Sequence, residues 1–213
     1  MALEFIIPTT WKEVKLKNYR KYMLSQKDSN KSDIMKLIEM VSFFCETSTE
    51  NVSKIGLKDL QTITNKLSKL LDNKTTQLTQ TFYLNGITYG FINNWDEITI
   101  GEYADIEEYI KKGFWENAHH ILSIFYRPII VKDEDSINKD MVQKEYVIEP
   151  YTPNPNRAKD FLNISMDLVL GATNFFLLLG AELMTITSNY TIEEAQRILE
   201  KKKPPTINGD GMQ

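Results

Sequence analysis

The stretch Trp11-Lys12-Glu13-Val14-Lys15-Leu16-Lys17-Asn18-Tyr19, set beside Trp95-Asp96-Glu97-Ile98-Thr99-Ile100-Gly101-Glu102-Tyr103, decides how this chain is expected to fold. Tryptophan, glutamate and tyrosine coincide in the two segments, and Val14/Ile98 and Leu16/Ile100 are apolar matches. Each follows a strand-like segment, LEFIIP at 3–8 and ITYGFI at 87–92, and each leads on to a helix with a similar ending, MVSFFCE at 40–46 and ILSIFYR at 121–127. Downstream, Leu57-Lys58-Asp59-Leu60 parallels Ser165-Met166-Asp167-Leu168 in a shifted register. The expectation is an internal duplication: an α+β, mainly helical fold of two similar helical modules with short β-hairpins. The alternative is that W-x-E-[VI] is a recurrent way of starting a helix, the tryptophan packing as a hydrophobic staple and the glutamate capping. On either reading Trp11, Glu13, Tyr19, Trp95, Glu97 and Tyr103 are packing residues, because no convergent polar group accompanies them.

Working outward, LEFII at 3–7 reads as a short strand closed by Pro8, and Thr10 with Glu13 has the form of a capping box. Leu16, Tyr19, Tyr22 and Met23 follow helical spacing. Ser32 or Asp33 caps a second helix, running to Cys45 with Ile34, Leu37, Ile38, Val41 and Phe44 on one face. After Gly56 a third carries the stripe Leu57, Leu60, Ile63, Leu67, Leu70 and Leu71. The run TFYLNGITYGFI is divided by Asn85-Gly86, a strong hairpin signal. Thr99 and Glu102 form a capping box for a helix that stops at Gly113, and a further helix from Trp115 to Tyr126 ends at Arg127-Pro128, where the residue before proline avoids the α region.

RPIIV and EYVIEPY read as two more strands joined by a charged loop, and YTPNPN leads into an apolar helix from Met166 to Thr185. Thr191 and Glu194 cap a last amphipathic helix before a loose tail. The domain reading is therefore an N-terminal helical module at 1–75, a second at 76–187 with an inserted β-hairpin at about 128–150, and a C-terminal helix and flexible tail at 188–213.

Composition bounds the chemistry. An apolar share of 42% in 213 residues supports a packed core, and a formal charge of -4 argues against a protein that neutralises many phosphates, so no nucleic-acid specificity is expected. Cys45, the only cysteine, reads as a buried thiol. The first residues lack a basic region followed by an apolar core, so the chain is expected to stay in the cytosol. The uncharged run LVLGATNFFLLLGA has 14 residues and spans about 21 Å as a helix, short of the roughly 30 Å of a bilayer core; a buried helix is expected, and no membrane partner.

His119 and His120 are adjacent, so a helix points them about 100° apart and they do not chelate one metal from one face. The glycines follow no phosphate-cradling or dinucleotide pattern. Asp96, Glu97, Glu102, Asp105, Glu107 and Glu108 cluster, but negative charge near a helix start is favoured by the dipole. Asp133 to Asp135 lack the spacing of a calcium loop. No catalytic, cofactor-binding or metal-ligating residue is expected, and the chain is not read as an enzyme; an activity built on carboxylates near Asp105 is the minor alternative.

The segments IPTTWKEVKLKNY at 7–19, LNGITYGFINNWDEITIGEYADIEEYI at 84–110, ILSIFYRPII at 121–130 and YVIEPY at 146–151 together resemble a group of small virion and tail-assembly proteins of tailed bacteriophages, especially the crAss-like phages of Bacteroidetes. The resemblance covers most of residues 5–185 and defines no functional residues. It implies a non-enzymatic virion structural or assembly protein that binds other phage virion proteins (portal, ring, tail or packaged components) or serves as a tail-assembly chaperone. It also implies self-association in many copies, no cofactor, and a location in the virion, with host cytoplasm during assembly. The alternative reading is a small cytosolic phage regulator or antidefence factor that binds a host protein.

Overall fold

The computed structural model describes residues 4–73, 77–92, 98–132 and 146–176. Met1–Ala172 form one compact unit, and the chain from Thr173 belongs to a second. The first unit is mainly helical with one small antiparallel sheet, the α+β class expected from the sequence.

Residues 4–10 have no regular secondary structure and pair with no strand among the described residues, and Ile6 is exposed. The strand expected at 3–7 is therefore corrected over its described part: branched residues make a strand only where a neighbour accepts their hydrogen bonds. The chain then tightens into a 3-10 turn, Trp11–Glu13. The Glu13 carboxylate accepts the N–H of Thr9 at 2.6 Å and of Thr10 at 3.1 Å, which holds its pKa below the usual range. Helices follow at α1 (Leu16–Gln26), α2 (Asp33–Phe44), α3 (Thr49–Ser53) and α4 (Leu57–Asp72). On α4 the spacing of Leu60, Ile63, Leu67 and Leu70 places all four on the buried face, whereas Leu57 stays in water.

The sheet has the order β1-β2-β3-β4, with β1 (Thr81–Leu84), β2 (Ile87–Phe91), β3 (Tyr126–Lys132) and β4 (Tyr146–Ile148). The turn between β1 and β2 holds Asn85 at φ 49° and Gly86 at φ 85°, the doubly positive geometry that Asn-Gly supplies. Phe82, Tyr89, Tyr126 and Phe161 interlock edge to face or stacked beneath the sheet. Gly90 is required by a close approach: a Cβ there would sit 2.3 Å from the Tyr146 ring. That ring reaches β2 and donates its hydroxyl to the Phe91 carbonyl at 2.8 Å.

Between β2 and β3 the chain forms α5 (Ile100–Lys111) and α6 (Phe114–Phe125), and α6 passes directly into β3. After β4 come α7 (Pro155–Asp160), which starts at the end of the YTPNPN segment, and a second 3-10 turn, Phe161–Asn163. Helix α8 opens at Met166 and is described to residue 176.

The two 3-10 turns are joined. Leu16 donates its N–H to the Ile164 carbonyl at 2.9 Å, and Met166 donates to the Val14 carbonyl at 2.8 Å, an antiparallel bridge centred on Lys15 and Ser165. Trp11, Val14 and Leu16 on one side and Phe161, Ile164 and Met166 on the other are all buried. The repeat that the fold pairs is thus aromatic-x-x-branched-x-apolar at 11–16 and 161–166, each opening a helix. The sequence comparison matched 11–19 with 95–103 instead. At 98–103 the local start is the same, with Thr99 as cap and Ile100 as first helical residue, but the setting differs: Leu16 is 0% exposed and Ile100 90%.

The module boundary drawn at residue 75 falls inside the compact unit. Its two sides share a core, because the Tyr19 ring meets Trp115 with centroids 4.9 Å apart and Arg20 Nε donates to the Glu116 carbonyl at 3.1 Å. The charged loop after β3, Asp133 to Asp135, the continuation of α8 to Thr185 and the helix after Thr191 lie outside the described residues.

The matched positions are expected to respond oppositely to truncation. Leu16→Ala should cost about 2–5 kcal/mol, as fully buried leucines do. Ile100→Ala should stay within about 0.5 kcal/mol at protein concentrations low enough for the chain to be monomeric. Urea unfolding of the two variants checks both.

Candidate interaction surface

The residues singled out from the sequence separate into three settings. Trp11 and Tyr19 are buried together, their rings 5.5 Å apart and edge to face, and Trp11 Nε1 donates to the Asn73 carbonyl. Burial pushes the Tyr19 hydroxyl up to about 12, with a smaller contribution from Tyr22. Glu13 caps the first turn at the surface. Tyr103 is 54% exposed, whereas its sequence match Tyr19 is buried. Trp95 and Glu97 lie outside the described residues. The structure therefore packs the first tryptophan-headed segment and leaves the tyrosine of the second in water.

Behind the start of α5 lies a polar centre that sequence reading missed. Thr99 donates to Glu102 Oε2 from its N–H at 2.6 Å and from Oγ1 at 2.8 Å, and the Glu102 N–H donates back to Oγ1 at 3.2 Å, completing the capping box. Glu102 is nevertheless 1% exposed, and its other oxygen sits 2.8 Å from Arg127 Nη1. This contact is charge attraction and not an aligned hydrogen bond, for neither Glu102 Oε1 nor Arg127 Nε has a hydrogen-bond partner among the described residues. Burial lowers the Arg127 pKa and the facing carboxylates oppose that. The available signal was a lone arginine within the apolar run ILSIFYRPII.

Further along α5, Tyr151 donates its hydroxyl to Asp105 Oδ2 at 2.5 Å; burial, and next this carboxylate, raise the tyrosine pKa. Tyr109 stacks on His120 with centroids 4.7 Å apart. The adjoining cavity, lined by Tyr109, His120, Ser123, Tyr151 and Arg157 among others, is about 20 Å³, enough for a water and too small for a metabolite. Glu107 and Glu108 are exposed and pair with Lys111 and Lys112 one turn on. Among the described residues no three His, Cys, Asp or Glu converge as metal ligands, and no helix is long and apolar enough to cross a membrane. Cys45 is a buried thiol whose pKa burial raises to about 11.

What the described surface does offer is apolar. On α2, the expected stripe is buried at Val41 and Phe44, but Ile34 and Leu37 at its N-terminal end, with Met35 beside them, are exposed. On α5, Ile100 and Tyr103, one turn apart, are exposed, as is Ile110 toward the other end of the helix, while Glu102 and Ile106 are buried. A shallow depression of about 310 Å³ lies between α1 and the end of α2, bordered by Lys17, Lys21 and Glu46, where Asn18 donates to Glu46 at 2.8 Å. Comparison with known proteins finds no matching family model, no similar curated protein and no similar solved structure.

Two outcomes test this polar chemistry. Arg127→Met should cost about 3–5 kcal/mol because it strands a buried carboxylate, and adding Glu102→Gln should recover part of that loss in urea unfolding. His119 is buried beside His120 and near Arg20, and burial, with those like charges, lowers its pKa from 6.5 to about 4. The unfolded chain therefore binds a proton there before the folded one does. Its contribution is fully present above pH 6.5 and falls progressively toward pH 4, with a limiting slope of about 1.4 kcal/mol per pH unit. Thermal melts across this window should show His119→Gln flattening the decline.

Proposed function

We propose that this chain is a non-enzymatic structural or assembly protein of a tailed-bacteriophage virion that works by binding other protein chains. The observation that supports the binding reading is the pair of apolar side chains at the start of α5, Ile100 and Tyr103, held in water one turn apart on a helix anchored by the buried Glu102 and Ile106. Contiguous apolar side chains on a folded surface mark sites of association. The open end of the α2 stripe, Ile34 and Leu37, adds a second such place. The phage setting comes from the sequence resemblance, and with it the partners: portal, ring, tail or packaged components and further copies of the chain.

Mass spectrometry of purified particles of the encoding phage tests the proposal. Recovery in fixed ratio to the portal or tail proteins is the expected result for a permanent component. Recovery only with unassembled tail proteins in infected cells would assign the chaperone role. Recovery solely on a host protein would overturn the reading in favour of a cytosolic regulator.

A further inference from the structure

The fold contains one worked example of how its tryptophan-headed segment docks. In the bridge centred on Lys15 and Ser165, each segment offers a first helical residue whose N–H has no intrahelical acceptor, and each gives it the carbonyl two residues before the other's helix start. The apolar residues on either side, Val14 with Leu16 and Ile164 with Met166, are buried by the pairing. The segment Ile98-Thr99-Ile100 has the same form as Val14-Lys15-Leu16 and opens α5 in the same way. Yet it is unpaired: neither the Ile100 N–H nor the Ile98 carbonyl meets a hydrogen-bond partner among the described residues, and Ile100 stands 90% exposed. The Thr99–Glu102 capping box leaves this pairing edge untouched, since it engages the N–H groups of Thr99 and Glu102 and not that of Ile100.

We infer that Ile98-Thr99-Ile100 pairs with the same segment of a second copy of the chain about a two-fold axis. The Ile100 N–H of each copy would donate to the Ile98 carbonyl of the other, with Thr99 facing Thr99, and Ile100 and Tyr103 supplying the apolar border. A two-fold sets the central residue against itself, so charge decides which segment can do this. Lys15 against a second Lys15 is repulsive, and that segment instead takes the uncharged Ser165 within its own chain. Ile98, Thr99 and Ile100 carry no charge, and a threonine pair is favourable across an antiparallel ladder. Isologous contact of this kind closes on itself and yields a dimer, the building unit from which larger symmetric assemblies are made. The inference rests on the self-association in the proposed function and names the surface that performs it.

The test uses the full chain. Analytical ultracentrifugation of the unaltered protein should show a species of twice the 24.8 kDa chain mass, and Ile100→Lys should reduce it to the monomer with an unchanged far-ultraviolet circular dichroism spectrum, because the side chain is exposed in the single chain. Thr99→Cys, oxidised with glutathione disulfide, should give a cross-linked dimer on a non-reducing gel. Opposed residues in this kind of antiparallel pair stand about 4.5 Å apart at Cα, within disulfide range. Cys45, buried, stays out of the cross-link, and Ser53→Cys, exposed on α3, serves as the control that should remain monomeric on the gel. A protein that is monomeric at every concentration, an Ile100→Lys variant that still dimerises, or a Thr99→Cys variant that fails to cross-link would each overturn the inference. A monomeric chain found in fixed ratio in particles would overturn this pairing while leaving the binding function standing.

Discussion

The reciprocal hydrogen bonds between Leu16 and Ile164 and between Met166 and Val14 are the contact on which the rest of the main unit depends. They lie near the two ends of that unit, so forming them closes a loop containing nearly all of its helices and its sheet. Loop-closure entropy grows only with the logarithm of length, and the closure is offset by burying six apolar side chains, each worth about 1.5–3 kcal/mol when fully removed from water. The arrangement also solves a local problem. Lys15 gives α1 no side-chain cap, and the N–H of Leu16 would be an unsatisfied donor in an apolar setting. Borrowing a carbonyl from the other segment satisfies it, and the debt is returned at Met166. Two helices are thereby started by one another.

Around that bridge the aromatic residues form two clusters with different work. Trp11, Tyr19, Phe44 and Trp115 bring α1, α2 and α6 together on the helical side. Phe82, Tyr89, Tyr126 and Phe161 hold the sheet to the second 3-10 turn. Phe161 belongs to both the bridge and the sheet cluster, so the packing of the strands and the docking of the first unit's two ends are mechanically linked.

Much of this architecture was legible in local chemistry. Asn85-Gly86 specified its turn, the leucine and isoleucine spacing of α4 specified its buried face, and Thr99 with Glu102 specified the start of α5. The identity of the segment that docks on Trp11 was not legible. Phe161-x-x-Ile164-x-Met166 shares no residue with Trp11-x-x-Val14-x-Leu16, only size and polarity, whereas the segment at 95–103 shares three identities and its described part, 98–103, is placed elsewhere. Identity reports a common way of starting a helix; burial depends on what the remainder of the chain brings alongside. The same distinction explains Glu102. A capping box says that a carboxylate returns to the backbone, and nothing in it says that an arginine from a strand will stand behind the carboxylate and bury it.

That buried pair bears on how α5 presents its outer face. Glu102 is tied at once to its own helix start and to Arg127 on β3, and Tyr151 fixes Asp105 almost one turn later. With Ile106 buried and Tyr109 stacked on His120, the inward side of the helix is held along most of its length. A charge pair in such a place adds little net stability compared with apolar packing of the same volume, but it demands one orientation. Ile100 and Tyr103 are therefore displayed by a helix anchored along its inward side, and a surface already ordered before contact loses less entropy on binding. The polar centre and the exposed apolar face are in this sense one device, the first fixing what the second offers.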